Sequence, residues 1–350
     1  MKIKNLALLF LICSCSTTIS NFDDYQKQFL TKTKFMPTAE NIAGKAPKIV
    51  VFALDQNDNE IAKQTSLGDS LANNIENVLS KNRLGEIVDR KAANKLQKEI
   101  SLAEMNKTGS YKGPIVADYA ISGAISNAAF TSKYSSGSTY YNPQSRQFVS
   151  IPPKYTYSSD VAGNLKIYEL PSLTVTESIE FAGKKSRSEA VQQEGGFALG
   201  GIQIGGKKVE GAKRDDGLIR KAGEDAISEI EIDIKNFFAK KGYILEKRVL
   251  KDKAIFKISL GSSDGIKQDD KFEVTGQYET ENALTNQIEI ERRIIATGSV
   301  SDHVDPKTSW VVIDDAKKAE SIRLGDSVKM KYKKSRFAKV TKLATSMLEQ

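Results

Sequence analysis

Apolar and polar positions along this 350-residue chain fall into three textures. The first is brief: Lys2 and Lys4 precede an unbroken apolar run from Leu6 to Cys13, and Ser/Thr follow at once. The second begins at KIVVFALD (48–55), an apolar run with the length of a buried strand. After the polar connection DQNDNEIAKQ, Ser66 is placed as an N-cap with Asp69 three positions on, close to a capping box. Leu67, Leu71, Ile75, Val78 and Leu79 then recur at helical spacing. LGEIVDR (84–90) reads as a strand, and 91–105 as a helix with Ala92, Leu96, Ile100 and Ala103 on one side. Three strands follow, at 117–130, 163–170 and 173–183. Leu218, Ala222, Ala226, Ile230, Ile234 and Phe237 predict a helix from about 216 to 240, closed by Gly242. The order βαβα, hairpins and a final helix defines a two-layer α/β domain over 48–242, with inserts at 131–159 and 183–216.

The third texture starts at 243. YILEKRVL, AIFKISLG, KFEVTG, IIATGSV, SWVVID and SVKMKY are short segments separated by turn residues, which predicts a small all-β barrel or sandwich over 243–333. A turn-plus-strand pattern occurs twice, as GIKQDDKFEV (265–274) and SIRLGDSVKM (321–330). Trp310 is expected in the core, and His303 in a surface loop before Pro306. Residues 329–342 hold seven basic residues and no acidic one, so 334–350 reads as a basic tail. The polar stretch 15–47 is expected to be a tether with one short helix.

Charge and cysteine usage change the picture at the N-terminus. A basic flank before an apolar run this short is an export signal, since a spanning helix needs about 20 apolar residues. Ile12-Cys13-Ser14-Cys15 resembles a bacterial lipobox. Ile12 is too bulky to precede the cleaved bond, whereas Ser14 is small. Cleavage after Ser14 therefore removes 1–14 and leaves Cys15 as the acylated lipid anchor. Ser16, being other than Asp, resembles an outer-membrane sorting signal. The mature chain then has no free thiol and one histidine, which excludes most nucleophile–histidine arrangements and all Cys/His zinc sites. Its formal charge falls from +8 to +6 as Lys2 and Lys4 leave. Outside the cytoplasm that charge meets no nucleic acid. GGFALGGIQIGG lacks the GxxxxGK[ST] phosphate cradle, and Asp269-Asp270 and Asp314-Asp315 lack calcium-loop spacing and read as turn carboxylates. No cofactor and no metal is expected.

The KIVVFALD strand, the SLGDSLANNIENVLSK helix, EIVDRKAANKLQKEI with its Asp89-Arg90 pair, and ADYAISGAI together resemble the CsgG family of curli assembly/transport lipoproteins. The likeness continues to about residue 240. KISLGSSDGIKQDDKFEV (257–274) is similar, more loosely, to the C-terminal β-domain of FlgT-type proteins, which group with CsgG and the LpoB-type activators. The resemblance implies an anticodon-binding-domain-like fold, contacts with envelope and periplasmic proteins, and a ring of copies of the chain. The curli channel member extends two hairpins per subunit into a barrel. Here the return arm of the first insert contains Pro152-Pro153, the second carries Lys184, Lys185 and Arg187, and the 55–65 loop lacks the family's pore-narrowing aromatics. Both inserts are therefore expected in water, as flexible or oligomer-packed loops. The expectation is a non-enzymatic, lipid-anchored outer-membrane protein, largely periplasmic, serving an envelope machine; the alternative is a curli-type secretion pore.

Overall fold

A computed structural model describes residues 16–91, 93–106, 116–191, 197–199, 202–204, 214–284 and 286–333. In chain order its elements are β1 (Gln26–Gln28), α1 (Ala39–Ala43), β2 (Lys48–Val51), α2 (Glu60–Gln64), α3 (Leu67–Lys81), β3 (Glu86–Val88), α4 (Asn94–Asn106), β4 (Tyr119–Ser135), β5 (Ser138–Asn142), β6 (Gln147–Ile151), β7 (Lys154–Glu169), β8 (Thr174–Ala190), β9 (Phe197–Leu199), β10 (Ile202–Ile204) and α5 (Asp216–Phe237). Then come β11 (Lys241–Leu250), β12 (Lys253–Ile258), β13 (Lys271–Glu281), β14 (Ile288–Val304), β15 (Ser309–Ile313), α6 (Ala316–Ala319) and β16 (Ser327–Met330). They form two compact units. The described residues within 46–238 build one, and those within 16–45 and 239–332 build the other.

The α/β unit is a five-stranded sheet in the order β3-β2-β4-β7-β8, parallel at β3-β2-β4 and antiparallel beyond. On one face Ile49, Val51, Ile121, Leu165 and Phe181 pack against Leu71 and Ile75 of α3 and Ala222, Ala226 and Ile230 of α5. On the other, Val50, Phe52, Ala120 and Tyr168 meet Leu96 and Ile100. Helices therefore cover both faces at the parallel end. The α/β class stands, but the unit there has three layers, where two were expected. β2 is buried on both sides, which explains why its sequence is continuously apolar and does not alternate.

Two local expectations need correction. Ser66 does not cap α3: it sits left-handed at φ 50° without a side-chain cap bond. The polar connection before it holds α2 instead, capped by Asn59, which accepts from Ala62 N at 2.9 Å. Gly242 does not close α5, which ends at Phe237 with Phe238 as its C-cap; it lies inside β11, where a Cβ would meet Leu260 Cγ at 2.5 Å.

The other unit is a closed six-stranded antiparallel barrel, β11-β12-β15-β14-β13-β16, sealed by the pairing of β16 with β11. Phe256, Phe272, Val274, Val300, Val311 and Val328 fill it. β16 holds Lys241–Tyr243 of β11, and β1 takes Lys247–Val249 of the same strand. The two repeats become adjacent strands, with Phe272 opposite Met330 and Val274 opposite Val328. Their turns are built alike: Asp270 Oδ2 accepts from Lys267 N and Asp326 Oδ2 from Arg323 N, both at 2.8 Å.

The stretch expected to be a tether is part of this barrel unit. Ile19 and Tyr25 are buried with Ile255 and Trp310, and Leu30 enters the barrel core. Phe22 stacks on His303 at 4.3 Å, and Arg248 lies 4.7 Å over the Trp310 ring. His303 accordingly belongs to the end of β14 and not to a loop. Apolar residues spaced three to five apart in a polar stretch were the signature of a strap, with no flexible spacer between Ser16 and the barrel.

Candidate functional site

Of the expected site residues, Ser14 and Cys15 lie outside the described residues, as does the tail 334–350. The acidic pairs are turn and cap groups. Asp314 accepts from Thr297 Oγ1 at 2.9 Å and Asp315 caps α6 at Lys317 N, also at 2.9 Å. Among the described residues no group of three or more His, Cys, Asp or Glu is placed to hold a metal, and no helix is long and apolar enough to cross a membrane.

The inserts differ most from expectation, because much of them is strand. β4 pairs with β7 from Tyr119↔Glu169 to Ser135↔Lys154, and β7 with β8 from Glu169↔Thr174 to Lys154↔Ala190. The result is a three-stranded ribbon roughly 50 Å long at about 3.3 Å per residue. Alternation explains it. Tyr157, Ser159 and Val161 point to the α5 side and are buried, while Thr156, Ser158 and Asp160 point away. Phe130, Tyr157, Tyr155 and Tyr134 form a ring ladder with centroids 5.1–6.1 Å apart. The basic residues of the second insert are neutralised locally: Lys184 meets Asp160 at 3.2 Å, and Arg187 meets Asp215 of the α5 N-cap at 3.1 Å. Pro152-Pro153 falls between β6 and β7, outside both ladders. Of the remaining second insert, 192–196, 200–201 and 205–213 lie outside the described residues; β9 and β10 pair as a short hairpin.

Two parts of the ribbon are open to a partner. Beyond Ile125, β4 has β7 on one edge and no strand on the other among the described residues, and β8 ends the sheet. At the tip, β5 and β6 form their own hairpin with Tyr140, Tyr141, Phe148 and Ile151 all exposed. Four large apolar groups on one solvent-facing hairpin are what a protein contact uses, since interfaces are enriched in Tyr and Phe. The sequence signal was present: YYNPQSRQFV carries a turn residue set between apolar segments, but a Tyr/Ser-rich composition masked it.

At the carboxyl end of β2 lies a polar cavity of about 420 Å³, lined by Asp55, Gln56, Asn57, Gln97, Asn164 and Lys166 among others. Asp55 is fixed there as a bridge to β4, donating its N–H to Gly123 O and accepting from Ile125 N, both at 2.8 Å. Arg90 of the Asp89-Arg90 pair is a structural clamp. It donates to Asp69 at 3.4 Å, Asn73 at 2.7 Å and Glu76 at 2.8 Å, all on α3.

No known protein-family profile matches the chain, and no curated protein matches it. Among solved structures it is similar to a PelC dodecamer from Paraburkholderia phytofirmans, at 10% identity, covering 59% of this chain and 97% of that one, with a TM-score of 0.24. A likeness this distant carries no functional inference.

Proposed function

We propose that this chain is a non-enzymatic outer-membrane lipoprotein, anchored by acyl chains on Cys15. Its α/β unit, CsgG-like in sequence, works by protein contacts in the assembly or regulation of an envelope machine. The observation that carries the reading is the ribbon with its exposed aromatic tip: Phe148 is 76% exposed and packs edge-on against Tyr141 at 5.4 Å. Large apolar groups held out on an ordered hairpin favour a macromolecular partner over a small-molecule reaction. The test is a photocrosslinking residue at Tyr141 or Phe148, installed in cells. Adducts of discrete mass, lost when Phe148 is replaced by Ser, support the reading. Absence of adducts at both positions refutes it.

One observation favours the alternative secretion pore: β4, β7 and β8 are continuous strands of barrel-spanning length. Against it, Val161, Leu165 and Phe181 of the same strands pack against α5, and Tyr157 is 2% exposed beneath Arg187, whose guanidinium lies 5.2 Å from its ring. Stepwise conductance of the purified protein in planar bilayers, abolished by replacing 192–213 with a short Gly/Ser loop, would select the pore.

A further inference from the structure

The two copies of the turn-plus-strand repeat differ at one informative position. In the second copy the left-handed residue is Gly325, at φ 88°; in the first it is Asp269, at φ 69°. A Cβ disfavours that conformation, so glycine is the unstrained choice. Asp269 has a use that glycine could not serve. Its carboxylate accepts from Thr17 N at 2.6 Å and from the Ser16 hydroxyl at 3.2 Å. The hydrogen bond from Thr17 is the largest influence on this group and holds its carboxyl below the usual range. Gln268 beside it donates to Ser16 Oγ at 2.6 Å and Thr17 O at 3.1 Å, and Ile19 N donates to Asp302 at 3.0 Å.

The first described residues are therefore clamped to one rim of the barrel, at the base of β13. The chain also leaves the barrel unit at this rim. Lys331 N donates to Lys271 O at 2.8 Å, and the unit ends at Tyr332, before a stretch (333–342) with five basic residues and no acidic one. Lys267, Lys271 and Lys331 are exposed there, Lys331 paired with Glu273 at 2.7 Å.

We propose that this rim, Lys267–Lys271 with Ser16 and Thr17, is the membrane-facing surface of the barrel and rests on phospholipid headgroups. The inference builds on acylation of Cys15. Given that anchor, the rim lies about one residue, roughly 3.5 Å of chain, from the lipid-bearing group. The barrel is seated on the bilayer with no spacer. β13 runs away from the rim for ten residue steps, about 33 Å. Leu284, at the tip of the β13–β14 arm and 96% exposed, then stands far from the headgroups.

The test uses the acylated full-length protein in phosphatidylcholine/phosphatidylglycerol vesicles bearing a headgroup-attached quencher. Because the mature chain has no free thiol, Lys267→Cys and Leu284→Cys each give one labelling position for a fluorophore. Mass spectrometry of the N-terminal peptide comes first: a peptide without acyl mass at Cys15 overturns the lipoprotein reading and the seating together. With acylation present, quenching several-fold stronger at 267 than at 284 supports the seating. Equal quenching, or the reverse order, overturns the seating and leaves the lipoprotein reading standing. Asp269→Gly combined with Gln268→Ala relieves the left-handed strain while removing both side chains that hold Ser16 and Thr17. It should fold and be acylated, yet lose most of the 267/284 difference; full retention of that difference overturns the role of the clamp.

Discussion

One methyl group at Gly183 tests how closely α5 lies on β8. An ideal Cβ at this position falls 2.2 Å from Ala222 O, 2.4 Å from Ala226 N and 2.8 Å from Ala226 Cα. Unstrained contacts of this kind need about 3.5 Å. All three atoms are backbone, so no rotamer change absorbs the clash, and helix and strand must part by about 1 Å. Their separation loosens Ala222, Ala226, Ile227 and Ile230 from Ile179 and Phe181. Overpacking of this sort costs about 1–3 kcal/mol. Loss of glycine's unfolded-state freedom offsets about 0.4–1 kcal/mol. Gly183→Ala should therefore destabilise the α/β unit by about 1.3 kcal/mol. With a urea slope near 2 kcal/mol/M, its unfolding midpoint by far-ultraviolet circular dichroism should fall by about 0.6 M. Trp310, the single tryptophan, sits in the barrel unit and supplies a second probe; its fluorescence transition should not move. Gly217→Ala is the control: its Cβ meets only Asp215 Oδ1, at 3.1 Å, in the first turn of α5. It should be neutral or stabilising by up to about 1 kcal/mol. An unchanged dichroism midpoint in Gly183→Ala, or the same shift in both variants, would refute the packing argument.

Arg90→Ala removes donors to three α3 side chains at a partly exposed site and should cost about 1–2 kcal/mol in urea unfolding, with Arg90→Lys recovering less than half because an ammonium cannot fork to all three. Asp326 is 2% exposed, and burial raises its pKa above 3.8 despite the Arg323 guanidinium. The folded state thus binds this proton more readily than the unfolded one, so its contribution to stability is full below the unfolded value and falls as pH rises through the folded one. The stability of the wild type relative to Asp326→Asn should decline across that window; a difference that grows with pH would sink the assignment. Trypsin should nick after Arg146, exposed at φ 53° in the β5–β6 turn, yet the fragments should co-elute in gel filtration because the β4–β7 ladder lies below the cut.

Legibility of the fold followed burial. All six barrel strands fall on the short apolar segments from 243 onward, and the buried faces of α3 and α5 fall on the residues at helical spacing. Periodicity reports a face that meets a core, and these faces do. The strap was illegible because Ile19, Phe22, Tyr25 and Leu30 dock one at a time, leaving no period to read. The ribbon was underread for a different reason. Its outer strands carry Lys184, Lys185 and Arg187, which in isolation argue against an ordered sheet; the acidic partners Asp160, Asp225 and Asp215 are distant in sequence or on another element. The repeat was visible as a pattern, whereas the exchange of Gly325 for Asp269 took on meaning only with Thr17 and Ser16 beside it. The aromatic hairpin tip needed the register of β5 on β6 to separate exposed rings from buried ones.

The strap also imposes an order in time. Gln26 pairs with Val249, and the whole of 46–238 lies between the two parts of the barrel unit. A chain made N-terminus first exposes Ile19, Tyr25 and Leu30 about 220 residues before β11 begins and about 280 or more before Trp310, some ten seconds or more at synthesis rates of about 5–20 residues per second. The β4–β7–β8 ladders and α5 are complete by Phe238, so the intervening unit can finish folding while the barrel still waits for β16, whose pairing with β11 closes it. A circular permutant beginning at Ala239 would reverse that schedule, emitting the six barrel strands first and the strap last.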